Sequence, residues 1–159
     1  MRTIVRKPLI AAALLAGLAT PSAAQTPPLR VEAGFAPIRL ALAIHAEDGL
    51  GTMENDCVGY VQRTPVLVFE IAADSAPGAL EARLDSGTDT VLAVVQPHER
   101  RWGGGMPGPE YCSDDEGGGV NPAVVMRDLK PGRYQVLAGA HAAGATVEAV
   151  LTLRDPDAP

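Results

Sequence analysis

The chain has 159 residues, of which 47% are hydrophobic and 20% are charged, and its formal net charge at pH 7 is −6. This length fits one domain that can bury a core of its own. The acidic balance argues against binding to nucleic acid or to anionic membranes, because both carry negative charge, and it is compatible with cation binding or with solubility alone.

The N-terminal segment 1–24 has the pattern of a secretory signal peptide. Three basic residues precede an apolar run over 9–18, and the small residues at 20–24 suit cleavage after Ala24. The apolar run is shorter than the roughly 20 residues that a membrane-spanning helix needs. We therefore expect a periplasmic or secreted protein without a membrane span, in which 25–159 form one domain.

Removal of this segment makes the chain more acidic and leaves both cysteines in the exported part. The 13 Lys and Arg less the three in the signal leave 10, and the 19 Asp and Glu then give a net charge of −9. Cys57 and Cys112 lie 55 positions apart, and an even pair in an oxidising compartment predicts a disulfide. Closing such a loop stabilises a fold by about 4 kcal/mol. A metal site is the alternative, but no CxxC or nearby histidine pattern supports it.

The exported part is predicted to consist of short β-strands. Its apolar residues alternate with polar ones or form brief β-branched runs, and Gly, Pro and Asp interrupt them regularly. The segments with this pattern are 29–33, 37–46, 57–62, 66–71, 80–84, 88–95, 123–126, 133–139 and 146–153. No segment predicts a helix convincingly. The pattern favours an all-β, antiparallel, jelly-roll-like β-sandwich of eight or nine short strands with one disulfide.

Several short motifs follow one another in a characteristic order between Cys57 and His141. They are Cys57-Val58-Gly59-Tyr60, Asp89-Thr90-Val91-Leu92-Ala93-Val94, Tyr111-Cys112-Ser113-Asp114-Asp115, Asn121-Pro122, and Pro131-Gly132-Arg133-Tyr134-Gln135-Val136-Leu137-Ala138-Gly139. Their order resembles the bacterial pre-peptidase C-terminal domain, in a short stand-alone exported variant. In that family a D-T-x-L-x-V strand is followed by a C-x-D-D loop, an N-P, and a G-x-Y-x-I-x-V-G strand. The resemblance implies a β-sandwich with a non-catalytic, accessory role beside secreted peptidases.

Two features depart from the family pattern. The short turn that usually follows the D-T-x-L strand is replaced by the longer segment 97–109, and Ala138 stands where the last strand usually has a bulkier residue. Both departures concern the rim of the sandwich, so the resemblance does not specify a ligand there.

A cluster of acidic residues is the first candidate site. Asp114, Asp115 and Glu116 lie on a glycine-rich loop, and Asp85 and Asp89 flank the turn before a strand and could approach them. Flexible loops with several oxygen ligands suit Ca²⁺, which takes six to eight of them. The alternative is a solvated turn without a cofactor, in which Asp114 or Asp115 accepts hydrogen bonds from nearby backbone N–H groups.

The segment 85–88, Asp-Ser-Gly-Thr, is similar to the catalytic turn of aspartic peptidases. Those enzymes use two such carboxylates that share a proton, and this chain has one copy, so a homodimer would be required. Arg83 also stands where that family prefers an apolar residue. The competing interpretation is a hairpin turn, and we expect that the protein is not an enzyme.

Trp102 and Tyr111 are the candidate binding residues, because aromatic side chains on loops often contact carbohydrates or partner proteins. A lid over the core is the alternative for Trp102. The sequence therefore predicts a non-catalytic binding or accessory module whose partner is an exported protein, a peptidase or a polysaccharide. The alternatives are a homodimeric aspartic peptidase and a structural envelope protein without a small-molecule ligand.

Overall fold

The structure is a computed structural model that describes residues 28–50, 57–96, 111–115 and 119–158. Within these ranges the chain forms eleven β-strands and no helix. The strands are β1 (Leu29–Val31), β2 (Ile38–His45), β3 (Asp48–Gly49), β4 (Tyr60–Val61), β5 (Leu67–Ile71), β6 (Ala79–Ser86), β7 (Thr90–Val95), β8 (Tyr111–Ser113), β9 (Ala123–Arg127), β10 (Gly132–Ala140) and β11 (Thr146–Arg154). The predicted signal peptide lies outside the described residues.

The all-β prediction is confirmed, and each of the nine predicted segments overlaps one strand. The strand count of eight or nine was too low, because β3 and β8 lie in segments that the sequence predicted as loop. Both are very short, and β3 is Asp-Gly, a pair with low strand propensity. They count as strands because their backbones pair with β4 and β7, and backbone pairing does not depend on side-chain type.

The strands form two sheets. Sheet A has seven strands in the order β1-β5-β10-β4-β3, with β7 and β8 on the other side of β10. Sheet B has the order β2-β11-β6-β9. All pairs are antiparallel except β1 with β5. This two-sheet arrangement with one disulfide confirms the predicted sandwich.

The main core lies between the two sheets. Strand β11 shows the alternation that builds it, because Val147, Ala149, Leu151 and Leu153 are buried while their neighbours along the strand are more exposed. From sheet A, Phe69 stacks on Tyr134 with ring centroids 5.2 Å apart, and both are buried. Each such side chain contributes about 1.5–3 kcal/mol by leaving water.

A second, smaller cluster covers the outer face of sheet A. Its buried residues are Leu50, Cys57, Val61, Val91 and Ala93, with Cys112 and Leu137 packed against them. All six residues of β7 are buried, and the strand has core on both faces, since Leu92 and Val94 belong to the main core and Val91 and Ala93 belong to this cluster. A strand that is buried on both faces needs a continuous apolar sequence, which β7 has.

The disulfide Cys57–Cys112 is part of this second cluster and confirms the predicted pairing, with the two Cα atoms 6.0 Å apart. It joins the segment before β4 to the edge strand β8. Disulfides persist in oxidising compartments and are rare in the cytosol.

Gly139 lies where the backbones of β10 and β4 in sheet A approach each other closely. It lies in β10 opposite Val61, and a Cβ at this position would overlap the backbone of Tyr60, including its carbonyl group. Only glycine therefore allows β4 to pair with β10 at this spacing.

Loss of the disulfide should destabilise the protein by about 4 kcal/mol, because the unfolded chain regains the freedom of a 55-residue loop. The measurement is urea unfolding of the oxidised protein, of the reduced protein and of a Cys57→Ser/Cys112→Ser variant. Thiol titration of the unfolded protein without reductant serves as the control and should detect no thiol. Two titratable thiols, or equal unfolding midpoints, would contradict this prediction.

Substitution of Gly139 by Ala should lower the free energy of unfolding by about 1–3 kcal/mol or prevent folding, because the added methyl meets backbone that cannot move aside. The matched control is Gly87→Ala, whose Cβ would meet nothing within 4 Å. The control should change stability by less than about 0.5 kcal/mol. Equal unfolding midpoints for the two variants would show that β4 and β10 are not held this closely.

Candidate functional site

The predicted acidic loop begins directly after β8, and its first carboxylate has a structural partner. Asp114 Oδ2 accepts a hydrogen bond of 3.3 Å from the backbone N–H of Val58, the residue after Cys57. Ser113 Oγ donates to the carbonyl oxygen of Asp115 at 2.7 Å. Asp114 therefore reinforces the same junction that the disulfide closes. Glu116 lies outside the described residues.

The other two predicted carboxylates lie near the connection from β6 to β7. Asp85 is on the outer face of sheet B, where its Oδ1 accepts a 2.9 Å hydrogen bond from Arg83 Nε. Asp89 is exposed, and its backbone carbonyl accepts from the N–H of His141. Asp85 thus lies in sheet B, Asp114 directly follows β8 of sheet A, and the two carboxylates have different partners. Among the residues that the structure describes, no three His, Cys, Asp or Glu side chains form a group suited to a metal ion. The calcium site stays a prediction.

The turn after Asp85 is not a hairpin turn, and that interpretation was wrong. β6 belongs to sheet B and β7 to sheet A, so Gly87 to Asp89 carry the chain across the sandwich. The backbone N–H of Ser86 donates to Asn121 Oδ1 at 2.8 Å, and Thr88 N–H donates to Ser86 Oγ at 3.2 Å. A short Gly-containing turn can form a hairpin within one sheet or connect two sheets, so its sequence alone does not distinguish the two.

Of the two predicted aromatic binding residues, only Tyr111 is described; Trp102 lies outside the described residues. Tyr111 is half-buried at the start of β8 and packs against the main core. Its hydroxyl donates to the carbonyl oxygen of Arg127 on β9 at 3.4 Å. Tyr111 therefore links the edges of the two sheets, and its role in binding stays a prediction.

A polar groove on the outer face of sheet B was not predicted. It has a volume of about 420 Å³, which is within the range of small-ligand sites. We call it the arginine groove. Its lining residues are Pro37 and Arg39 at β2, Glu81, Arg83 and Asp85 on β6, and Thr152 and Arg154 on β11.

The strand register explains why these side chains meet. Thr152 pairs with Arg39 on one side and with Arg83 on the other, so the three form a row across β2, β11 and β6. Two residues further along β11, Arg154 pairs with Glu81 of β6. The alternate positions of the same strands, such as Leu84 and Leu153, are buried in the core. Alternation therefore sends the whole row to the outer face.

The charges of the arginine groove are partly paired. Arg154 Nη2 lies 2.7 Å from Glu81 Oε2, and the Glu81 side chain is only 10% exposed. Arg83 is held against Asp85 by the 2.9 Å contact. Arg39 makes no hydrogen bond or ion pair with another described residue. Among the described residues, three guanidinium groups and two carboxylates line the groove.

The ion pair between Arg63 and Asp48 shifts the pKa values of both groups, and it lies away from the groove. Arg63, between β4 and β5, donates from Nε and Nη2 to the two carboxylate oxygens of Asp48 at 3.1 and 3.2 Å. This hydrogen bonding lowers the pKa of Asp48 and raises the pKa of Arg63. Because the pKa of Asp48 is lowered, the pair stabilises the fold above the ordinary aspartate pKa and loses that effect as the pH falls.

Comparison with protein-family models, curated proteins and solved structures finds no match to this chain. In the part of the chain that the structure describes, no helix has the length and apolar character needed to cross a membrane.

We expect calcium to leave thermal stability unchanged, because Asp85 in sheet B and Asp114 after β8 already have separate partners. The measurement is the melting temperature in millimolar calcium and in chelator at matched ionic strength.

Calcium binding would give a different and measurable result. A bound ion would stabilise by about 2.7 kcal/mol at a hundredfold excess over its dissociation constant. A calcium-dependent rise that is lost in Asp114→Asn/Asp115→Asn, and kept in an Asp74→Asn control, would establish the calcium site. Asp74 is an exposed aspartate between β5 and β6, remote in sequence from this loop.

Proposed function

We propose that this chain is an exported, non-catalytic binding module of the pre-peptidase C-terminal type. The two-sheet sandwich and the disulfide Cys57–Cys112 support this proposal, because both are expected of such a domain in an oxidising compartment. The predicted signal peptide over 1–24 supports export. No specific observation favours a purely structural envelope role.

The observation that carries the proposal is the arginine groove. Its ion pairs hold Arg83 and Arg154 in position, while Arg39 is available to a ligand. Arg83 and Arg154 therefore need little ordering when a ligand binds, whereas Arg39 is ordered by the ligand itself. The recognition surface in this proposal is therefore the outer face of sheet B, in place of the acidic loop and the Trp102 segment that the sequence suggested.

The contacts of Asp85 and of the turn that follows it argue against the aspartic peptidase. A catalytic dyad requires two carboxylates that share one proton. Asp85 faces the guanidinium group of Arg83, and its turn is closed by Ser86 and Asn121. A dimer that used Asp85 would bring the two carboxylates together beside the guanidinium groups of both copies of Arg83.

A partner screen tests the proposal. The exported protein is immobilised and exposed to periplasmic proteins and to glycans, in parallel with an Arg39→Gln/Thr152→Val variant of the groove. The matched control is Arg133→Gln, which removes an exposed arginine from sheet A and leaves the groove intact. Ligands captured by the wild type and the control, but lost with the groove variant, would support the module. Capture that is equal for all three proteins would contradict it.

We expect Asp85→Ala to abolish no peptidase activity, because the purified chain has none to lose. The measurement is cleavage of a denatured protein substrate between pH 3 and pH 7, with and without pepstatin. Acid-optimal cleavage by the pure protein that is inhibited by pepstatin and absent in Asp85→Ala would overturn the non-catalytic assignment.

A further inference from the structure

We propose that the arginine groove binds a short acidic oligosaccharide through the carboxylate of a uronic acid unit. This inference rests on the proposed function and specifies the ligand class of the same site. The carboxylate lies against Arg39 and Thr152, and the sugar hydroxyls exchange hydrogen bonds with the charged side chains of β6.

In this proposal, the position of the ligand carboxylate is set by the row of side chains across β2, β11 and β6. Arg39 and Arg83 flank Thr152, and adjacent strands are about 4.8 Å apart, so both guanidinium groups reach a ligand above the threonine hydroxyl. Arg83 is tethered by Asp85, whereas Arg39 has donors that no described residue uses. A guanidinium group binds a carboxylate through two parallel hydrogen bonds, which gives both strength and orientation.

The remaining lining residues favour a sugar over an acidic peptide. Glu81 and Asp85 supply acceptor oxygens, and Arg83 and Arg154 supply donors beside them. A sugar hydroxyl is both a donor and an acceptor, so it can satisfy both kinds of group. An acidic peptide can donate to Glu81 and Asp85 only through its backbone N–H groups, and its side-chain carboxylates only accept hydrogen bonds and are repelled by these two residues.

The charge of the whole chain limits the ligand further. The formal net charge is −6, or −9 without the predicted signal peptide, so a long polyanion is repelled by the rest of the surface. A ligand with one or a few carboxylates is repelled less and contacts chiefly the arginines that line the groove. Val125, which pairs with Glu81 and is 46% exposed, adds an apolar patch beside the groove for one face of a sugar ring.

Calorimetric titration of the oxidised protein tests this inference with matched ligands. The acidic ligands are trimers of galacturonic, glucuronic and mannuronic acid, and the neutral ligands are the corresponding galactose, glucose and mannose trimers. Each neutral trimer differs from its partner only by CH₂OH in place of the carboxylate. Triglutamate is the peptide ligand. We expect at least one uronate trimer to bind, and its neutral partner and triglutamate to bind at least about tenfold more weakly.

The variants show where that ligand binds. We expect Arg39→Gln to weaken uronate binding about tenfold or more, since it removes a charge-assisted hydrogen-bonded contact. Thr152→Val keeps the β-branched shape and should weaken binding severalfold. Arg133→Gln should leave binding unchanged. Circular dichroism and the melting temperature of each variant separate loss of binding from loss of folding.

The outcomes separate this inference from the proposed function. No binding by any uronate trimer, or binding that Arg39→Gln does not change, overturns the sugar assignment. If triglutamate or an exported protein binds instead, and loses affinity with Arg39→Gln, the module stands and the ligand is an acidic peptide. If no ligand in either experiment depends on the groove, both proposals are wrong.

Discussion

The fold depends on the backbone pairing of β10 with three other strands. Its first half pairs with β5, its last two residues pair with β4, and β7 pairs along its other side. Gly139 permits the close approach of β4, and β7 in turn positions β8. The disulfide then joins the segment before β4 to β8, so it closes a ring that runs through β4, β10, β7 and β8. A covalent bond thus fixes the two flanks of the central strand relative to each other.

The two outer faces of the sandwich differ because of this ring. On sheet A, the disulfide and Leu50 cover Val91 and Ala93. The strand β7 therefore becomes fully buried, and its sequence is apolar at every position after Thr90. On sheet B, no described segment covers the corresponding row, and alternation places Arg39, Thr152 and Arg83 on the outer face, where Arg39 is exposed and the other two are half-buried. Sheet A is thus closed by a covalent bond and an apolar cluster, whereas the described part of sheet B carries charged groups on its outer face.

Local periodicity was enough to predict the strands, and the even cysteine count was enough to predict the disulfide, because both depend on residue types within short segments. Local periodicity was not enough to predict β3 and β8, because they are defined by backbone pairing with β4 and β7. The connection after Asp85 was misread as a hairpin because a turn sequence does not say which sheet follows. The arginine groove was missed for a related reason. Arg39, Arg83 and Thr152 come from three distant parts of the chain, and only the strand order β2-β11-β6 brings them together.

Stability is a poor explanation for the charges of the arginine groove. Exposed ion pairs contribute about 0–1 kcal/mol, and Arg83 with Asp85 is of this kind. Arg39 contributes no ion pair among the described residues, and β-branched side chains would serve a strand better at these positions. Glu81 is the exception, because its side chain is 10% exposed and Arg154 compensates its burial. Arg154 therefore has a structural reason to be present. Arg39 lies on the edge strand β2, where an exposed charge opposes pairing with another sheet. In the proposed function, Arg39 would also contact the anionic ligand beside Thr152 and Arg83.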